Sequence, residues 1–515
     1  MIRRPGSSAV AMCAAAVLVV CGPAATAAPP APRPLAQLDE QFAAAARDLV
    51  RRARADGHDK LAELVAGWQL PAPTDRQFAF AIPARLEVPA WIEEAAARSI
   101  WDDFVAARRA RAAGLYDLAV AAAAAHDRPP TRAEQARPDP ESPPLPQRSC
   151  VVVHLLAAAL RDDPGHERAR GALGWVRRGD AWVWPEAAAR LDRHADYDPA
   201  FGWLPAGRLA RYRAGERYDR GRWISAAEDA AHTPPVDRGR RFETDHWEIL
   251  SAAPVESAAA LAERLEETFL VWVQIFGGFA VEPADLEKRV RGRGRIMPRD
   301  AFAAVLCADR EQYAAEIGRL EPLAPRTDGL YWAPTRTAWF FAAAPDVAAA
   351  AQATRAATIH HEATHQIFLE LAPTGPRHQP LPAGERSGFW AIEAVACHME
   401  SIRPTPFGWT VGGRDAGRVP AARGRLVEEG VHVPLAELAA LGRKAFQADA
   451  RLPALYDEVA GLADFFMNGR NGRYREAFLE YLSRVYAGID DPDTLPRLCR
   501  RSAAELDAEY RDHLR

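Results

Sequence analysis

Two histidines four positions apart constrain this chain more than any other feature of its sequence. His361 and His365 enclose Glu362 in the run HEATH. The surrounding residues, 346–371, are rich in alanine and stop before Pro373, so the sequence predicts a helix over this range. Residues i and i+4 lie on one face of an α-helix, and their two imidazoles can therefore share one metal ion.

The residues around the two histidines complete a metal site of the catalytic kind. Glu362 projects beside the histidine face, where a carboxylate can take a proton from a metal-activated water. Glu393, 28 positions after His365, is the only acidic residue in the apolar stretch 389–397. A lone buried carboxylate is costly unless something pairs with it. Two histidines and one glutamate leave the fourth position of one Zn²⁺ open, as in catalytic rather than structural sites.

These residues resemble the gluzincins of the thermolysin-like clan. The closer resemblance is to exported bacterial proteins with a peptidase-MA-like domain, whose approximate pattern is HEATHQ followed by W-x-x-E-G-x-A-x-Y-x-E-S. Residues 361–366 match the first part, and the second part is matched by Trp390, Glu393, Ala396, Glu400 and Ser401. The resemblance covers residues 242–515 and implies a zincin-like metallopeptidase domain. In that fold a small mixed sheet, with an edge strand along the cleft near 339–341, packs against the HExxH helix and a helical tail.

The chain departs from this pattern at two positions, where it has Ala394 and His398, and it has Cys397 at a position that the pattern leaves open. Thermolysin-like enzymes place an acid at the position of Cys397 to orient a ligating histidine. Glu400 lies on the same helix face as Glu393 and is either a substitute for that acid or a solvated carboxylate at the helix end.

A later segment, 455–467, resembles the helix that follows the metal site in this family. Its Tyr456 is either a hydrogen-bond donor to a developing oxyanion or an ordinary core tyrosine. His360 points about 100° away from His361 on a helix, and we expect it to be structural.

The sequence therefore predicts a secreted, zinc-dependent metalloendopeptidase of the gluzincin type. His361, His365 and Glu393 are the predicted ligands of one Zn²⁺, and Glu362 is the predicted general base that hydrolyses peptide bonds of a peptide or protein substrate. The alternative is an exported binding or scaffold protein that keeps the zinc site but is catalytically silent. The intact Glu362 argues against this alternative, and Cys397 argues for it.

The chain has 515 residues, which suggests several units in an α+β fold. Residues 1–27 have the charged, apolar and small-residue order of a signal peptide, which predicts a periplasmic or extracellular protein. The other predicted units are a helical region at 33–127, a proline-rich linker at 128–149, a tryptophan-rich region with two hairpin–helix units at 150–240, and the gluzincin-like metallopeptidase domain at 241–515.

The charge, the apolar runs and the cysteines of the chain bear on three further questions: nucleic-acid partners, membrane segments and disulfides. With 65 basic and 69 acidic residues the net charge is −4, so no overall field favours nucleic acid as a partner. We expect no integral membrane segment in the mature chain. Four cysteines remain after the signal peptide, and their wide spacing fits free buried thiols at least as well as disulfides.

Overall fold

The computed structural model describes residues 34–68, 75–124, 149–281, 283–293, 299–320, 327–343, 348–372 and 382–515. The predicted signal peptide and nearly all of the predicted linker lie outside these ranges. Residues Arg33–Arg515 group into one compact unit. This unit mixes many helices with small sheets, and the predicted α+β class is confirmed.

The N-terminal region is helical, with one strand that the sequence analysis did not predict. Its helices are Leu35–Ala55, Asp59–Gly67, Ala95–Ala124, Ser149–Asp162 and Glu167–Leu173. The first helix is amphipathic because Leu38, Phe42 and Leu49 recur at helical spacing and are buried. The strand Gln77–Phe80 pairs antiparallel with Gly408–Val411.

The tryptophan-rich region contains the two predicted hairpin–helix units and a third, unpredicted one between them. The hairpins are Val176–Arg178 with Ala181–Val183, Asp196–Asp198 with Gly202–Leu204, and Glu216–Asp219 with Arg222–Ser225. The helices that follow them are Pro185–Leu191, Leu209–Arg213 and Ala226–Ala230. The middle hairpin escaped prediction because its first strand, with two aspartates, lacks an apolar pattern. Trp182, Trp203 and Trp223 are half-buried.

A five-stranded mixed sheet forms the centre of the molecule. Its strands run in the spatial order Leu330–Trp332, Thr337–Phe341, Phe302–Cys307, Trp247–Ser251 and Arg240–Glu243. The middle three strands are parallel, and each outer strand is antiparallel to its neighbour. The predicted edge near 339–341 is wrong, because Thr337–Phe341 pairs on both sides. A one-turn helix at Ala333–Thr335 reverses the chain, so the edge strand is Leu330–Trp332.

Two long helices pack beside this sheet. The long core helix is Val255–Ala280, and the motif helix, which carries HEATH, is Ala349–Leu371. Phe276 and Phe368 join the two helices with ring centroids 5.1 Å apart. The predicted first residues of the motif helix, 346 and 347, lie outside the described ranges.

The C-terminal part is a layer of helices around one short strand pair. The strands are Arg403–Thr405 and Gly408–Val411. The remaining helices are Pro283–Val290, Arg310–Ile317, Phe389–Met399, Val419–Gly424, Leu435–Ala440, Arg443–Gln447, Leu452–Gly472, Arg475–Ala487, Thr494–Cys499 and Ala503–Leu514, with a π-helical turn at Arg425–Glu429.

Two findings concern the described part of the chain as a whole. No helix there is both long and apolar enough to span a bilayer. Cys150, Cys307, Cys397 and Cys499 are all buried and free, so the structure favours thiols over disulfides.

A buried ion triad connects the C-terminal helices and gives a prediction about pH. His432 Nδ1 lies 2.8 Å from Glu458 Oε1, and its Nε2 lies 3.3 Å from Asp507 Oδ1. Hydrogen bonds to Asp507 and Glu458 raise the pKa of His432 to about 9. Because the pKa of His432 is higher in the folded than in the unfolded protein, protonation of His432 stabilises the fold. This stabilisation is complete below the unfolded pKa of about 6.5 and is lost as the pH rises through about 9.

We therefore expect the free energy of unfolding to fall between pH 6 and pH 9.5 by about 1–2 kcal/mol more in the wild-type protein than in His432→Gln. This figure allows for solvent screening of the half-buried histidine. Urea denaturation at the two pH values measures this difference. An equal loss in both proteins would show that the triad contributes no pH-dependent stability.

Candidate metal centre

The second helix of the site, Phe389–Met399, which we call the Glu393 helix, lies in the interior with all eleven residues buried. It begins after Gly388, whose φ of +72° favours glycine. A side chain at Gly388 would also approach Asp490 Oδ2 and Val485 Cγ2 to 2.8 Å. The close packing at this glycine fixes where the helix starts and brings Glu393 beside the motif helix.

The three predicted ligand atoms converge on one point. The distances are 3.0 Å from His361 Nε2 to His365 Nε2, 3.4 Å from His361 Nε2 to Glu393 Oε2, and 3.6 Å from His365 Nε2 to Glu393 Oε2. The point in their plane that is equidistant from these atoms lies about 1.9 Å from each. Zinc bonds to nitrogen and oxygen are about 2.0–2.2 Å long, so a zinc ion fits slightly to one side of this plane.

The chemistry of the three groups also fits a cation. Two imidazole nitrogens that face each other at 3.0 Å need a proton or a metal between them, because otherwise both direct lone pairs at the same point. Glu393 Oε2 is buried and has no hydrogen-bond partner among the described residues. A buried oxygen of this kind is costly unless a cation compensates it.

Electrostatics keep the site charged in spite of its burial. Burial opposes ionisation of Glu393, but the charge of His365 and the proximity of both imidazoles outweigh it and lower the pKa of this carboxyl. Burial likewise opposes protonation of His361, but its contacts with Cys397, Glu393 and Glu400 outweigh it and raise its pKa. The site thus favours positive charge between the two histidines and the carboxylate.

Glu400 contacts the far side of His361, which decides one alternative left open by the sequence. Its Oε1 lies 2.8 Å from His361 Nδ1, and its side chain is only 9% exposed. Arg418 donates to both carboxylate oxygens, at 2.8 and 3.3 Å. Glu400 is therefore a buried partner of the histidine and not a solvated helix end. Cys397 also lies beside His361, within 4.8 Å of its ligand atoms.

These contacts predict that Glu400 matters more for metal binding than Cys397. Loss of a partner that orients a ligating histidine commonly weakens metal affinity about 10- to 100-fold. We expect a decrease of that size for Glu400→Ala and less than about threefold for Cys397→Ala, because a neutral thiol is a weak hydrogen-bonding group. Competition with a zinc chelator measures both affinities. Equal losses in the two variants would contradict the assignment.

Glu362 faces the edge strand of the sheet. Its Oε2 accepts a hydrogen bond of 2.7 Å from the backbone N–H of Tyr331. Gly329, just before the edge strand, allows this approach, since a side chain there would come within 3.2 Å of Glu362 Cγ. The sequence analysis missed Tyr331, because a backbone contact leaves no signature in residue type.

A second polar network holds the edge strand to the motif helix. Glu370, with a side chain only 6% exposed, accepts from Arg336 Nε and Nη2 at 3.1 and 2.6 Å and from Tyr331 Oη at 3.3 Å. Gln366 Nε2 also donates to Glu370 at 3.0 Å and to the carbonyl of Ala303 at 3.0 Å. One helix face therefore fixes the positions of several strands relative to the metal-binding residues.

Two further residues named from the sequence lie close to this centre. Tyr456 is half-buried, and the charge of Glu393, followed by burial, raises its pKa, which indicates that its hydroxyl is near that carboxylate. His360 is buried and its Nδ1 lies 2.8 Å from Thr268 Oγ1 on the long core helix. His360 therefore has a structural contact, as expected.

Comparison of the chain with models of known protein families gives no match, and comparison with curated proteins gives none either.

Proposed function

We propose that this chain is an exported zinc metallopeptidase with a zincin-like fold of the gluzincin type. One observation carries the proposal: three ligand atoms of His361, His365 and Glu393 converge at zinc-binding distances, and Glu362 stands next to His361 on the same helix. Three protein ligands leave one coordination position for water or substrate, as catalytic zinc sites do.

Glu362 performs the proton transfers in the proposed reaction. When bound, zinc polarises the substrate carbonyl and makes an attacking water more acidic. Glu362 takes the proton from this water as the C–O bond forms, and passes it to the amine nitrogen as the C–N bond breaks. The backbone N–H of Tyr331 fixes the carboxylate through its Oε2, which leaves Oε1 to accept the proton.

The edge strand is the proposed place for the peptide substrate. Leu330–Trp332 pairs only with Thr337–Phe341, and no described strand pairs with its other side, which we call the open side. The backbone of Tyr331 points to this open side, because its N–H reaches Glu362. A peptide added as a further strand there lies directly beside the general base. Tyr456, near Glu393, is the proposed donor to the oxyanion that develops on the carbonyl.

The Glu370 network predicts that Glu370 affects catalysis only by holding the edge strand in position. Glu370→Ala removes the acceptor that holds Tyr331 and Arg336, so we expect kcat/KM for peptides to fall about tenfold with zinc affinity unchanged. Glu370→Gln keeps only one of the two acceptor oxygens, for Arg336 or for Tyr331 but not for both, and is expected to recover only part of the activity. Steady-state kinetics with zinc-saturated proteins measures the difference. Full activity of Glu370→Ala would show that the network does not position the edge strand.

Cleavage of a mixed peptide library tests the proposed function. Residues 28–515 are first treated with a chelator and then assayed before and after addition of one equivalent of zinc. The proposal expects new peptide ends only after zinc is added. Stoichiometric zinc binding with no cleavage of peptides or unfolded proteins would instead support the silent binding protein.

A further inference from the structure

A cavity of about 530 Å³ lies at the end of the motif helix that is away from the metal-binding histidines. Glu370 and Leu371, the last residues of that helix, form part of its wall, and the hairpin region contributes Trp184. Among the described residues that line it, none is a predicted metal ligand, and neither is Glu362. The cavity is therefore separate from the proposed catalytic centre.

The inner wall of this cavity is aromatic. Trp184, Phe269, Trp272 and Phe302 all line it, and the last three are more than 90% buried. Cavities of several hundred Å³ with apolar walls and a few convergent polar groups are the usual form of small-molecule sites. The polar groups here determine what kind of molecule fits.

His246 is a buried polar group in the wall with unused hydrogen-bonding capacity. It is only 6% exposed, its ring stacks on Phe269 at 3.9 Å, and its Nδ1 lies 2.7 Å from Glu266 Oε2. Its Nε2 has no hydrogen-bond partner in the part of the chain that the structure describes. Burial opposes protonation, but the charge and hydrogen bond of Glu266 outweigh it and raise the pKa of His246. A protonated His246 offers Nε2–H as a free donor.

Three other donors around the cavity are also unused. Trp272 Nε1 is buried and has no hydrogen-bond partner within the described ranges. Arg289 is half-buried and Arg299 lies on the rim, and neither guanidinium has an ion-pair partner among the described residues. Burial lowers the pKa of Arg289, and the charge of Arg299 lowers it further, so the two guanidiniums are close enough to repel each other.

Two of the three carboxylates in the wall already accept hydrogen bonds, and the third, Asp300, is exposed. Glu370 accepts from Arg336, Tyr331 and Gln366, as described above. Glu186 Oε1 accepts a hydrogen bond of 2.8 Å from the backbone N–H of Arg299. The unmet hydrogen-bonding capacity in the buried part of the cavity is therefore that of donors, and the two arginines outnumber the exposed Asp300, so a ligand with acceptors and negative charge fits best.

We propose that this cavity binds a small organic acid, with its apolar body against the aromatic wall and its carboxylate facing His246, Arg289 and Arg299. The aromatic wall excludes a bare inorganic anion as the preferred ligand, because it offers contact area only to an apolar group. The free donors exclude a neutral hydrocarbon, which would leave them unpaired.

Two fluorescent probes test this proposal without reference to zinc or peptidase activity. The dye 8-anilinonaphthalene-1-sulfonate is an aromatic anion, and N-phenyl-1-naphthylamine is its neutral counterpart. The proposal expects one anionic dye per chain and an increase in Kd of about tenfold or more in the double variant Arg289→Gln/Arg299→Gln. Lys288→Gln removes an exposed charge from the same helix and is expected to have no effect on either dye. The neutral dye should bind the double variant and wild type alike.

A displacement experiment with the wild-type protein does not depend on any variant folding. We expect 4-phenylbutyrate to displace the anionic dye at concentrations at least tenfold lower than 4-phenylbutan-1-ol, which has the same body without the charge. Equal displacement by acid and alcohol would overturn the proposal. Equal loss of dye binding in Lys288→Gln and the double variant would do the same, since it would indicate adsorption to surface charge.

Discussion

Replacement of Glu362 by glutamine is expected to lower the rate of peptide hydrolysis about 100- to 10,000-fold and to leave zinc bound. The amide has nearly the same shape, and its side-chain oxygen can still accept the hydrogen bond from Tyr331 N–H. It cannot take a proton from the attacking water, so the loss belongs to the chemical step and should reduce kcat more than it changes KM.

The matched control is Glu263→Gln, the same change at an exposed position of the long core helix. We expect this variant to keep wild-type activity. If Glu362→Gln and Glu263→Gln hydrolysed peptides at the same rate as wild type, Glu362 would not be the general base, and the proposed mechanism would fail even with zinc present.

Replacement of Glu393 by glutamine is expected to weaken zinc binding by more than the 10- to 100-fold that loss of a supporting residue costs. Glu393 is the only anionic group of the three that converge on the metal position, and its Oε2 has no other partner. Zinc at a thousand times its Kd should stabilise the wild-type protein by about 4 kcal/mol, and most of this stabilisation should be absent from Glu393→Gln.

Denaturant unfolding with and without zinc measures that stabilisation directly. The control is again Glu263→Gln, which should respond to zinc as the wild type does. An unchanged response in Glu393→Gln would mean that the carboxylate is not a ligand. The group of His361, Cys397 and Glu400, which also lie within 4.8 Å of one another, would then be the better metal site.

The sequence predicted the residues of the centre because each leaves a local signature. The two histidines repeat at helical spacing, and Glu393 is conspicuous as a single charge in an apolar helix. The sequence did not decide whether Glu400 supports a ligating histidine or is a solvated carboxylate. Only the packing of the Glu393 helix shows that this carboxylate turns toward His361. Nothing in the residue pattern indicated Arg418, whose contact depends on how the following loop returns.

The strand arrangement was less predictable, for physical reasons that differ between elements. The edge strand Leu330–Trp332 and its neighbour Thr337–Phe341 have similar apolar patterns, so sequence alone does not say which one has two partners. The strand Gln77–Phe80 finds its partner more than 300 positions away, in Gly408–Val411. Pairing between segments so far apart depends on how the intervening chain packs. The local periodicity of apolar residues does not describe that packing.

The central claim, that zinc binds to His361, His365 and Glu393, is tested most directly by zinc X-ray absorption spectroscopy on the metal-loaded protein. We predict one zinc per chain with two imidazole nitrogens, one carboxylate oxygen and at least one further oxygen, all at about 2.0–2.2 Å. A sulfur neighbour at about 2.3 Å would place the metal at Cys397 instead. The absence of bound zinc after loading would contradict the account of the metal centre and the proposed reaction with it.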